Sequence, residues 1–508
     1  MGSIAAAELP VRLKLSLPPL LIALLTGLGM GLAMPPWGLW PLALLAPISL
    51  WHLAGQPRGG YALALVWGLG GYGLTLSWLT GLHPLTWMGI PWGASLAIAL
   101  FCWGFVTLLA ALIPVIWLRL MRWLRPRRGL ALLLGPGLWI LLEQIWSQGP
   151  LWWPPLALGL VDLPGLPGLV RLSGPSMLSV LVIAVSGCLW WGWQFPWERC
   201  RALAGAIALL LGGGLLGQAL LTTAVPDAPA ERLRLGILQV NVPTRRKLRP
   251  EGLQLAMTRL TTGYEQLSRA GAQAVLTSEG ALPLLWGDQT DTPLQRALAA
   301  GRVPLWLGTF MPVGDRYSQS LIALDPEERV QGEYRKTRLV PLGESIPFEE
   351  QLGRWLRLSS IGMGMQAGQP GQQFTTSLGR AAASICYEIA FPELMRLPVN
   401  GGAEFLVTAS NLDPYDRRLM AQHLAHARLR AIETDRWLVQ ATNTGWSAVV
   451  GPDGGVRWRS PDHQWLTHLD AIYRRTTTTP WLRFGNWLPV SLVGVGVLLV
   501  ARQRWLQR

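Results

Sequence analysis

A cysteine in a setting suited to nucleophilic chemistry lies at the end of an apolar run in this 508-residue sequence. Cys386 stands in "SICYEIAFPE", the segment Ser384–Glu393, and is followed by Tyr387 and Glu388. A thiol that attacks a carbonyl group needs a base to accept its proton and a cation or donor to stabilise the oxyanion. Two other segments of the chain supply residues of those types.

The candidate base is a glutamate, and the candidate oxyanion group is a lysine. Glu279 in "TSEGALP" would accept the thiol proton, and Lys336 in "YRKTRLVPLGESIPFE", the segment Tyr334–Glu349, would stabilise the oxyanion. No histidine stands in a comparable setting, which disfavours a Cys–His pair. We interpret His423, in a segment with helical spacing, as a packed or capping residue.

The region from residue 231 to 478 has the pattern of a layered α/β domain, because short β-rich runs alternate with helical patterns. The predicted strands are Arg234–Asn241, Ala272–Gly280, Val303–Phe310, Ser320–Pro326, Ala381–Glu388, Glu404–Asn411 and Trp437–Asn443. The predicted helices are Pro250–Arg269 and Asp416–Asp435. The segment "GPDGGV", Gly451–Val456, predicts a hairpin turn.

Polar residues end three of these strands. Glu279 ends the second strand, Cys386 and Glu388 end the fifth, and Asn411 ends the sixth. Ligands of open α/β sheets meet the protein at the carboxyl ends of strands. We therefore expect these side chains to converge on one site.

The rest of the chain has the composition of a membrane protein. Half of all residues are hydrophobic and only 14% are charged, against roughly 25% in soluble domains. Because a helix crosses a bilayer with about 20 apolar residues, eight runs predict spans: Leu15–Ala33, Trp37–Leu53, Tyr61–Leu79, Trp87–Leu118, Gly129–Trp146, Ser173–Trp193, Ala202–Thr223 and Trp487–Ala501. This pattern predicts a membrane domain with seven spans over residues 1–225, a catalytic domain over 231–478, and a last span with a short tail over 483–508.

Arginine and lysine residues near the span ends predict the orientation, because cationic loops stay in the cytoplasm. With the N-terminus inside, arginines cluster in inner segments such as residues 119–128, whereas the outer flanks carry only Arg171 and Arg483. Both termini are therefore predicted to be cytoplasmic, with residues 231–478 on the outer side. Glu143 lies near the outer end of its span, where we expect interfacial exposure and no catalytic role.

Charge and cysteine usage limit the other functions. The formal net charge is +14, but in the outer domain only "TRRKLR", Thr244–Arg249, clusters basic residues. We interpret this run as a solvated or headgroup-facing loop rather than as a nucleic-acid site. The chain has no CxxC motif and no cluster with metal-ligand spacing, so we expect no disulfide scaffold, no metal and no cofactor.

Several motifs together resemble the apolipoprotein N-acyltransferase family, a membrane-bound branch of the nitrilase superfamily. They are "YRKTRLVPLGESIPFE", "ICYEIAFPE", "QHLAHARLRAIE" (Gln422–Glu433) and "ATNTGWSAVVG" (Ala441–Gly451). Glu279, Lys336 and Cys386, in that order, resemble the Glu-Lys-Cys triad of the superfamily. The resemblance covers nearly the whole chain. It implies a multi-pass α-helical membrane domain plus an α/β nitrilase-like domain, an αββα sandwich, on the periplasmic side of a bacterial inner membrane.

The resemblance also implies a ping-pong reaction. Cys386 would take an acyl chain from a membrane phospholipid as a thioester. The α-amine of the N-terminal S-diacylglyceryl-cysteine of a lipoprotein would then accept the chain. Glu344 would orient the lysine or the glutamate. Tyr387 and Glu388 would shape the site, and Asn411 would support it. We expect a monomer whose partners are these two lipid substrates.

Three segments leave details open. "SNLDPYD" (Ser410–Asp416) and "RYSQS" (Arg316–Ser320) depart from the family pattern, so the lids and lipid contacts there stay undecided. "RWLRLSSIGMGM" (Arg354–Met365) predicts either a flap over the acyl pocket or an ordinary surface loop.

Two rival functions fit parts of the sequence. A membrane-tethered nitrilase-like amidase or hydrolase would use the same triad and release its product to water. A transporter or assembly factor would carry an inactive outer domain, but the intact triad and the scarcity of intramembrane charges disfavour it.

Overall fold

The computed structural model of the protein describes residues 18–222, 225–247, 249–287, 291–340, 344 and 365–506. Its N-terminal part is helical, as expected for apolar runs, since a helix satisfies its backbone polar groups internally. The helices are α1 (Pro19–Ala33), α2 (Trp40–Leu45), α3 (Ile48–Gly55), α4 (Tyr61–Thr75), α5 (Trp92–Leu124), α6 (Arg128–Ser147), α7 (Val170–Ser173), α8 (Ser176–Gln194), α9 (Arg199–Ile207) and α10 (Gly213–Thr222). A π-helical turn, Ala208–Gly212, joins the last two.

The strands of the second part form two mixed sheets. They are β1 (Arg232–Gln239), β2 (Ala274–Thr277), β3 (Leu305–Val313), β4 (Arg316–Leu324), β5 (Val330–Arg335), β6 (Phe374–Thr376), β7 (Gly379–Ile385), β8 (Phe405–Ser410), β9 (Leu438–Thr442), β10 (Ala448–Val450), β11 (Val456–Arg459) and β12 (Leu466–Tyr473). Within the described residues the strand orders are β12-β1-β2-β3-β4-β5 and β11-β10-β9-β8-β7-β6. The central pairs β1–β2, β2–β3, β7–β8 and β8–β9 are parallel.

Helices cover the outer faces of both sheets. They are α11 (Thr244–Lys247), α12 (Pro250–Arg269), α13 (Pro293–Gly301), α14 (Pro392–Asn400) and α15 (Arg417–Thr434), followed along the chain by α16 (Pro480–Phe484) and α17 (Trp487–Trp505). One core joins the sheets, where the rings of Trp306 and Phe405 stack 5.8 Å apart. Separate cores lie between the first sheet and Tyr264 of α12, and between the second sheet and Met395 of α14. This order of layers is an αββα sandwich, which confirms the predicted fold class.

In the described part of the chain, four helical segments are long and apolar enough to cross a membrane: Trp92–Leu124, Gly129–Ser147, Ser176–Gln194 and Pro196–Thr222. Shorter apolar helices lie at Pro19–Ala33, Trp40–Gly55 and Val490–Gln503. A helix overlaps each of the eight predicted runs, although the second run is broken at Pro47, which has no N–H to continue a helix. The count of eight spans and their orientation remain predictions.

The N-terminal helices and the layered α/β domain share one apolar core. It extends from Trp139 and Leu158 to Phe391 and Met420. Glu143 lies within this region with only 4% of its surface exposed, so the expected interfacial exposure was wrong. The loop after α6 folds back over the helix end, and its Leu156 N–H donates to Glu143 Oε1 at 3.0 Å. A polar group so deep is tolerated because it is hydrogen-bonded.

A buried ionic network fastens the two parts beside this core. Arg171 of α7 pairs with Asp435 at 2.5 Å and donates to the carbonyl oxygen of Pro452 at 2.9 Å. The other oxygen of Asp435 lies 3.0 Å from Arg475, which also pairs with Asp227 at 2.5 Å. Removing one member of such a network would leave an uncompensated buried charge. The layered α/β domain is therefore held against the N-terminal helical part by charge as well as by apolar packing.

Candidate active site

Three strand ends bring the predicted triad together. Glu279 follows β2 and Lys336 follows β5 in the first sheet, whereas Cys386 follows β7 in the second. The neighbouring strand β3 approaches the Glu279 turn very closely, because a Cβ atom at Gly308 would lie 2.1 Å from the carbonyl oxygen of Ser278. Only glycine fits there.

Lys336 joins two carboxylates. Its Nζ atom lies 2.7 Å from Oε1 of Glu279 and 2.6 Å from Oε1 of Glu344. The lysine side chain is fully buried, and burial by itself disfavours its charge. The neighbouring carboxylates of Glu279 and Glu344 outweigh burial and raise the pKa of Lys336 well above its usual value. A positive charge is therefore held beside the thiol, where an oxyanion group needs one.

Glu344 completes this charged cluster. Its Oε2 atom accepts from the backbone N–H of Val340 at 2.9 Å. Burial raises the pKa of Glu344, and the nearby Glu279 raises it further, while Lys336 lowers it. When two buried carboxylates share one ammonium group, their mutual repulsion makes it unfavourable for both to be ionised. The cluster is thus suited to accept a proton, as a general base must.

Cys386 occupies a strained turn. Its φ angle is +55°, in the left-handed region that residues other than glycine seldom adopt. The Sγ atom lies 3.8 Å from the carbonyl oxygen of Asn411, to which the thiol donates. Burial raises the pKa of Cys386 well above its usual value, and Glu279 raises it further, whereas Lys336 lowers it. The resting residue is therefore a thiol, which must lose its proton during the reaction.

Glu388 fixes the geometry between two strand ends. Its Oε2 atom accepts from the backbone N–H of Ile385 at 2.7 Å and from the hydroxyl of Tyr334 at 2.9 Å. Its Oε1 atom accepts from the backbone N–H groups of Thr337 and Arg338 at 2.6 and 2.9 Å. Burial raises the pKa of Glu388 to about 7. The side chain therefore clamps the segment that carries the triad lysine to the strand that precedes the triad cysteine.

Asn411 reaches the site through its backbone. Its N–H donates to Oε2 of Glu279 at 2.8 Å, which leaves Oε1 for the lysine. Its side chain donates to Thr244 Oγ1 at 2.9 Å and accepts from Asn443 Nδ2 at 3.0 Å. Asn411 thus orients the candidate base, and Thr244 and Asn443 hold Asn411.

Tyr387 connects the nucleophile turn to the loop after α6. Its hydroxyl oxygen lies 2.8 Å from the carbonyl oxygens of both Pro150 and Trp152. Its ring stacks on Trp153 with centroids 6.2 Å apart and meets Phe391 edge-on at 5.0 Å. The residue after the candidate nucleophile is therefore held by the membrane part of the chain.

Lys247 is a site residue that the sequence interpretation missed. The basic run around it was interpreted as a solvated or headgroup-facing loop, but Lys247 is only 5% exposed. Its Nζ atom donates to the carbonyl oxygens of Gly280 at 3.0 Å and Glu279 at 3.4 Å. Burial lowers the pKa of Lys247 to about 8. A lysine among exposed arginines carries no pattern that would reveal this contact.

His423 is packed, in line with the sequence interpretation, yet it also contacts the site. Its Nε2 atom lies 3.1 Å from Ser410 Oγ and 3.2 Å from the carbonyl oxygen of Cys386. Its Nδ1 atom lies 3.1 Å from Gln440 Oε1. Burial lowers the pKa of His423 to about 4. The ring therefore remains neutral and supports the backbone of the nucleophile turn.

The two segments that differ from the family pattern, Ser410–Asp416 and Arg316–Ser320, lie around the site. Asp413 accepts from the backbone N–H of Thr244 at 2.8 Å, and Tyr415 packs edge-on against Trp78 of the membrane part at 5.1 Å. The carbonyl oxygen of Gln319, on β4, accepts from the backbone N–H of Lys336 at 2.8 Å. The proposed flap Arg354–Met365 lies outside the described residues except for Met365. Among the residues that the structure describes, no group of three or more acidic, histidine or cysteine side chains could hold a metal ion.

Two family models match the chain. Residues 26–188 match the apolipoprotein N-acyltransferase N-terminal domain, and residues 261–464 match the carbon-nitrogen hydrolase family. The second match contains Glu279, Lys336 and Cys386. The two models therefore divide the chain as its helical and layered parts do.

Curated relatives match over almost the full length. An apolipoprotein N-acyltransferase from Nostoc sp. is 38% identical over 92% of this chain and 96% of its own length. One from Thermosynechococcus vestitus is 40% identical over 94% of each chain. A more distant one from Azotobacter vinelandii is 31% identical over 95% of this chain and 94% of its own length. This chain belongs to the apolipoprotein N-acyltransferase family and is a membrane-bound acyltransferase with a nitrilase-like domain.

Proposed function

We propose that the protein transfers an acyl chain from a membrane phospholipid, through a thioester on Cys386, to the α-amine of the N-terminal S-diacylglyceryl-cysteine of lipoproteins. The observation that carries this proposal is the buried cluster in which Lys336 bridges Glu279 and Glu344 beside the thiol. It supplies a base, a cation and a nucleophile in one place, as acyl transfer requires.

In the first half-reaction Glu279 takes the thiol proton as Sγ of Cys386 forms a bond to the ester carbonyl carbon. Lys336 stabilises the oxyanion of the tetrahedral intermediate. The carbon–oxygen ester bond then breaks, Glu279 returns the proton to the departing oxygen, and the lysophospholipid leaves. Because the resting cysteine is a thiol, its activation depends on the base and not on a preformed thiolate.

In the second half-reaction the lipoprotein amine attacks the thioester carbonyl. Glu279 takes a proton from the attacking nitrogen, and Lys336 again stabilises the oxyanion. The carbon–sulfur bond breaks as the amide forms, and the proton returns to Sγ. Glu344 keeps the lysine ammonium in place, while Glu388, Asn411 and Tyr387 position the reacting groups.

The architecture suits substrates that stay in a bilayer. We propose seven spans in residues 1–225, a catalytic domain over 231–478 on the periplasmic face of the inner membrane, and a final span with a cytoplasmic tail over 483–508. The protein acts as a monomer in this proposal. The contact of Tyr387 with the loop after α6 supports a site that opens next to the membrane surface.

Mass spectrometry of a lipoprotein N-terminus tests the reaction. Cells that lack this protein should accumulate the diacylated form, and cells that express it should carry a third, amide-linked chain. Purified enzyme with phospholipid and a diacylated lipopeptide should yield equal amounts of lysophospholipid and triacylated product. Release of free fatty acid without amide formation would instead indicate a membrane-tethered hydrolase.

Labelling of cysteines tests the orientation. An impermeant thiol reagent applied to intact spheroplasts should not modify Cys200, which is exposed in the structure and is proposed to face the cytoplasm. After permeabilisation the same residue should react. A reporter fused after Arg508 should show a cytoplasmic C-terminus, and an external reporter would contradict the proposed span count.

A further inference from the structure

A pocket of about 370 Å³ lies at the base of the catalytic domain and shares no residue with the triad cluster. It is lined by the C-terminal end of α14, the turn between α14 and β8, the residue Arg436 between α15 and β9, and the segment that leads into α16. The lining residues are Val399, Asn400, Gly402, Ala403, Arg436, Thr476, Thr477, Thr478, Leu482 and Arg483. The polar lining consists of cations, hydroxyls and an amide, without a carboxylate.

Arg436 forms the buried wall of this pocket. Only 3% of its surface is exposed, and it makes no ion pair among the described residues. Its Nε atom donates to the carbonyl oxygen of Ala403 at 3.1 Å, and its Nη1 atom donates to the carbonyl oxygens of Thr434 and Thr477 at 3.1 and 2.9 Å. The described part of the chain offers Nη2 no hydrogen-bond acceptor. Carbonyl groups thus orient the guanidinium group but do not neutralise it.

Hydroxyl groups and a second arginine complete the lining. In the run Thr476–Thr479, the Thr477 hydroxyl donates to Asp435 at 2.5 Å and the Thr479 hydroxyl donates to the carbonyl oxygen of Glu433 at 2.7 Å. The hydroxyls of Thr476 and Thr478 have no hydrogen-bond partner within the described ranges, and both residues are exposed. Arg483 is exposed as well and forms no ion pair with a described residue.

The surrounding charges leave the pocket positive. Asp435 and Asp227 are paired with Arg171 and Arg475, so these four charges cancel. Burial lowers the pKa of Arg436 to about 10, although the nearby Asp435 and Glu404 raise it. Neither carboxylate lines the pocket, and neither forms an ion pair with Arg436 or Arg483 within the described ranges. An anion in the pocket would therefore meet two arginines without a direct ion-pair partner and would offset the cost of burying Arg436.

The pocket adjoins two segments that lead to proposed membrane spans. Arg483 precedes by four residues the apolar helix α17, which begins at Trp487. On the other side, Arg475 donates to the carbonyl oxygen of Val225, shortly after α10 ends at Thr222. Arginine, hydroxyl and amide donors are the groups that bind phosphate oxygens.

We propose that this pocket binds a phosphate group at the membrane surface, with Arg436 and Arg483 as the cationic ligands and Thr476 and Thr478 as hydroxyl donors. A phospholipid headgroup and free inorganic phosphate offer the same chemistry. The site is separate from the triad and does not rest on the proposed acyl transfer, but its place at the membrane surface rests on the proposed spans.

Native mass spectrometry of the full-length protein in a phosphate-free glycoside detergent tests this inference. The probes are a short-chain phosphatidylglycerol, a galactosyl diacylglycerol of equal chain length without phosphate, and inorganic phosphate. Arg483→Gln is the main variant, since its exposed side chain does not support the fold. Thr478→Val is added to it in a second variant. Arg269→Gln, on the exposed face of α12, is the matched control.

Arg483→Gln should weaken phosphatidylglycerol binding by about tenfold, as expected for loss of one charged hydrogen bond, and the double variant should weaken it further. Binding of the galactosyl lipid and all binding to Arg269→Gln should stay unchanged. If inorganic phosphate at equal concentration displaces phosphatidylglycerol, phosphate alone is sufficient for binding. If it does not displace the lipid, the site recognises the phosphate of a lipid headgroup. Equal phosphatidylglycerol binding by Arg483→Gln, its double variant and the control would overturn the proposal.

Discussion

The hydroxyl oxygen of Tyr387 lies 2.8 Å from the carbonyl oxygen of Trp152, a residue 235 positions earlier in the chain. Tyr387 directly follows the candidate nucleophile, and Trp152 belongs to the loop after α6. The nucleophile turn is thus positioned by the membrane part as well as by its own sheet. Acyl transfer should therefore respond to a change in this contact even though Tyr387 carries no reacting atom.

Tyr387→Phe should slow thioester formation by about fivefold, because it removes a hydrogen bond of about 1 kcal/mol while keeping the ring packed on Trp153. Single-turnover acylation measures the effect. Tyr473→Phe, at a tyrosine of β12 remote from the triad strand ends, serves as the control and should be unchanged. Equal rates for both variants would show that the contact does not position the thiol.

Cys386→Ala should abolish transfer and leave the protein folded, since alanine meets the same backbone strain as cysteine and loses little packing. Cys386→Ser should fail as well, because a hydroxyl is far harder to ionise than a thiol. Cys200→Ala is the control and should keep full activity. Lipoprotein N-acylation by Cys386→Ala in cells without the wild-type protein would refute the role of the thiol.

Glu279→Gln and Lys336→Met should both slow acylation, but for different reasons. Loss of the oxyanion group should cost roughly 10²–10³ in rate, and loss of the base should leave the thiol protonated at neutral pH. Rapid-quench detection of the acyl-enzyme measures the first half-reaction, with Glu265→Gln, at a half-exposed position of α12, as the control. Wild-type rates for Lys336→Met would demote the lysine to a structural residue.

The thiol of Cys386 should stay protonated throughout the neutral range. Its pKa is raised by burial and by Glu279, and an acid with a raised pKa ionises only at higher pH. The ultraviolet thiolate absorbance of wild type minus Cys386→Ala should therefore be absent near pH 7 and appear only well above the usual thiol pKa. A thiolate signal at neutral pH would indicate a preformed ion pair with Lys336 and would remove the need for a base.

Lys247→Met should slow acylation by roughly tenfold, because it removes the charged donor to the carbonyl oxygen of Gly280 and loosens the turn that carries Glu279. Arg245→Met, at an exposed neighbour in the same run, should have no effect. A circular dichroism melt of both variants separates a local effect from unfolding. Equal activity of the two variants would restore the interpretation of the run as a solvated loop.

Much of the site could be predicted because strand ends leave a pattern in sequence. Glu279, Cys386 and Asn411 each follow a short β-rich run, and the predicted strands differ from the observed ones by only a few residues at either end. Parallel neighbouring strands present their carboxyl ends at one edge, which brings Cys386 and Asn411 together. The approach of Glu279 from the other sheet depends on how the two sheets pack and could not be predicted from strand order. Helix α12 was predicted with its observed bounds, since its apolar spacing and its first proline are both typical of a helix.

Contacts that depend on folding in three dimensions could not be predicted. Lys247 looked solvated because its neighbours are exposed arginines, yet the turn buries it against Gly280. Glu143 looked interfacial because of its place in the helix, yet the following loop covers it. Hydropathy patterns report the average face of a segment, and they carry no information about which distant segment will cover it.

The network of Arg171, Asp435 and Arg475 has a mechanical consequence. A carboxylate held from two sides by arginines of different segments resists rotation, so we expect the layered domain and the membrane part to move as one body. In the proposed reaction, two lipids must nevertheless exchange at the same cysteine in turn. That exchange would then depend on local rearrangement around the site and not on movement of the whole domain.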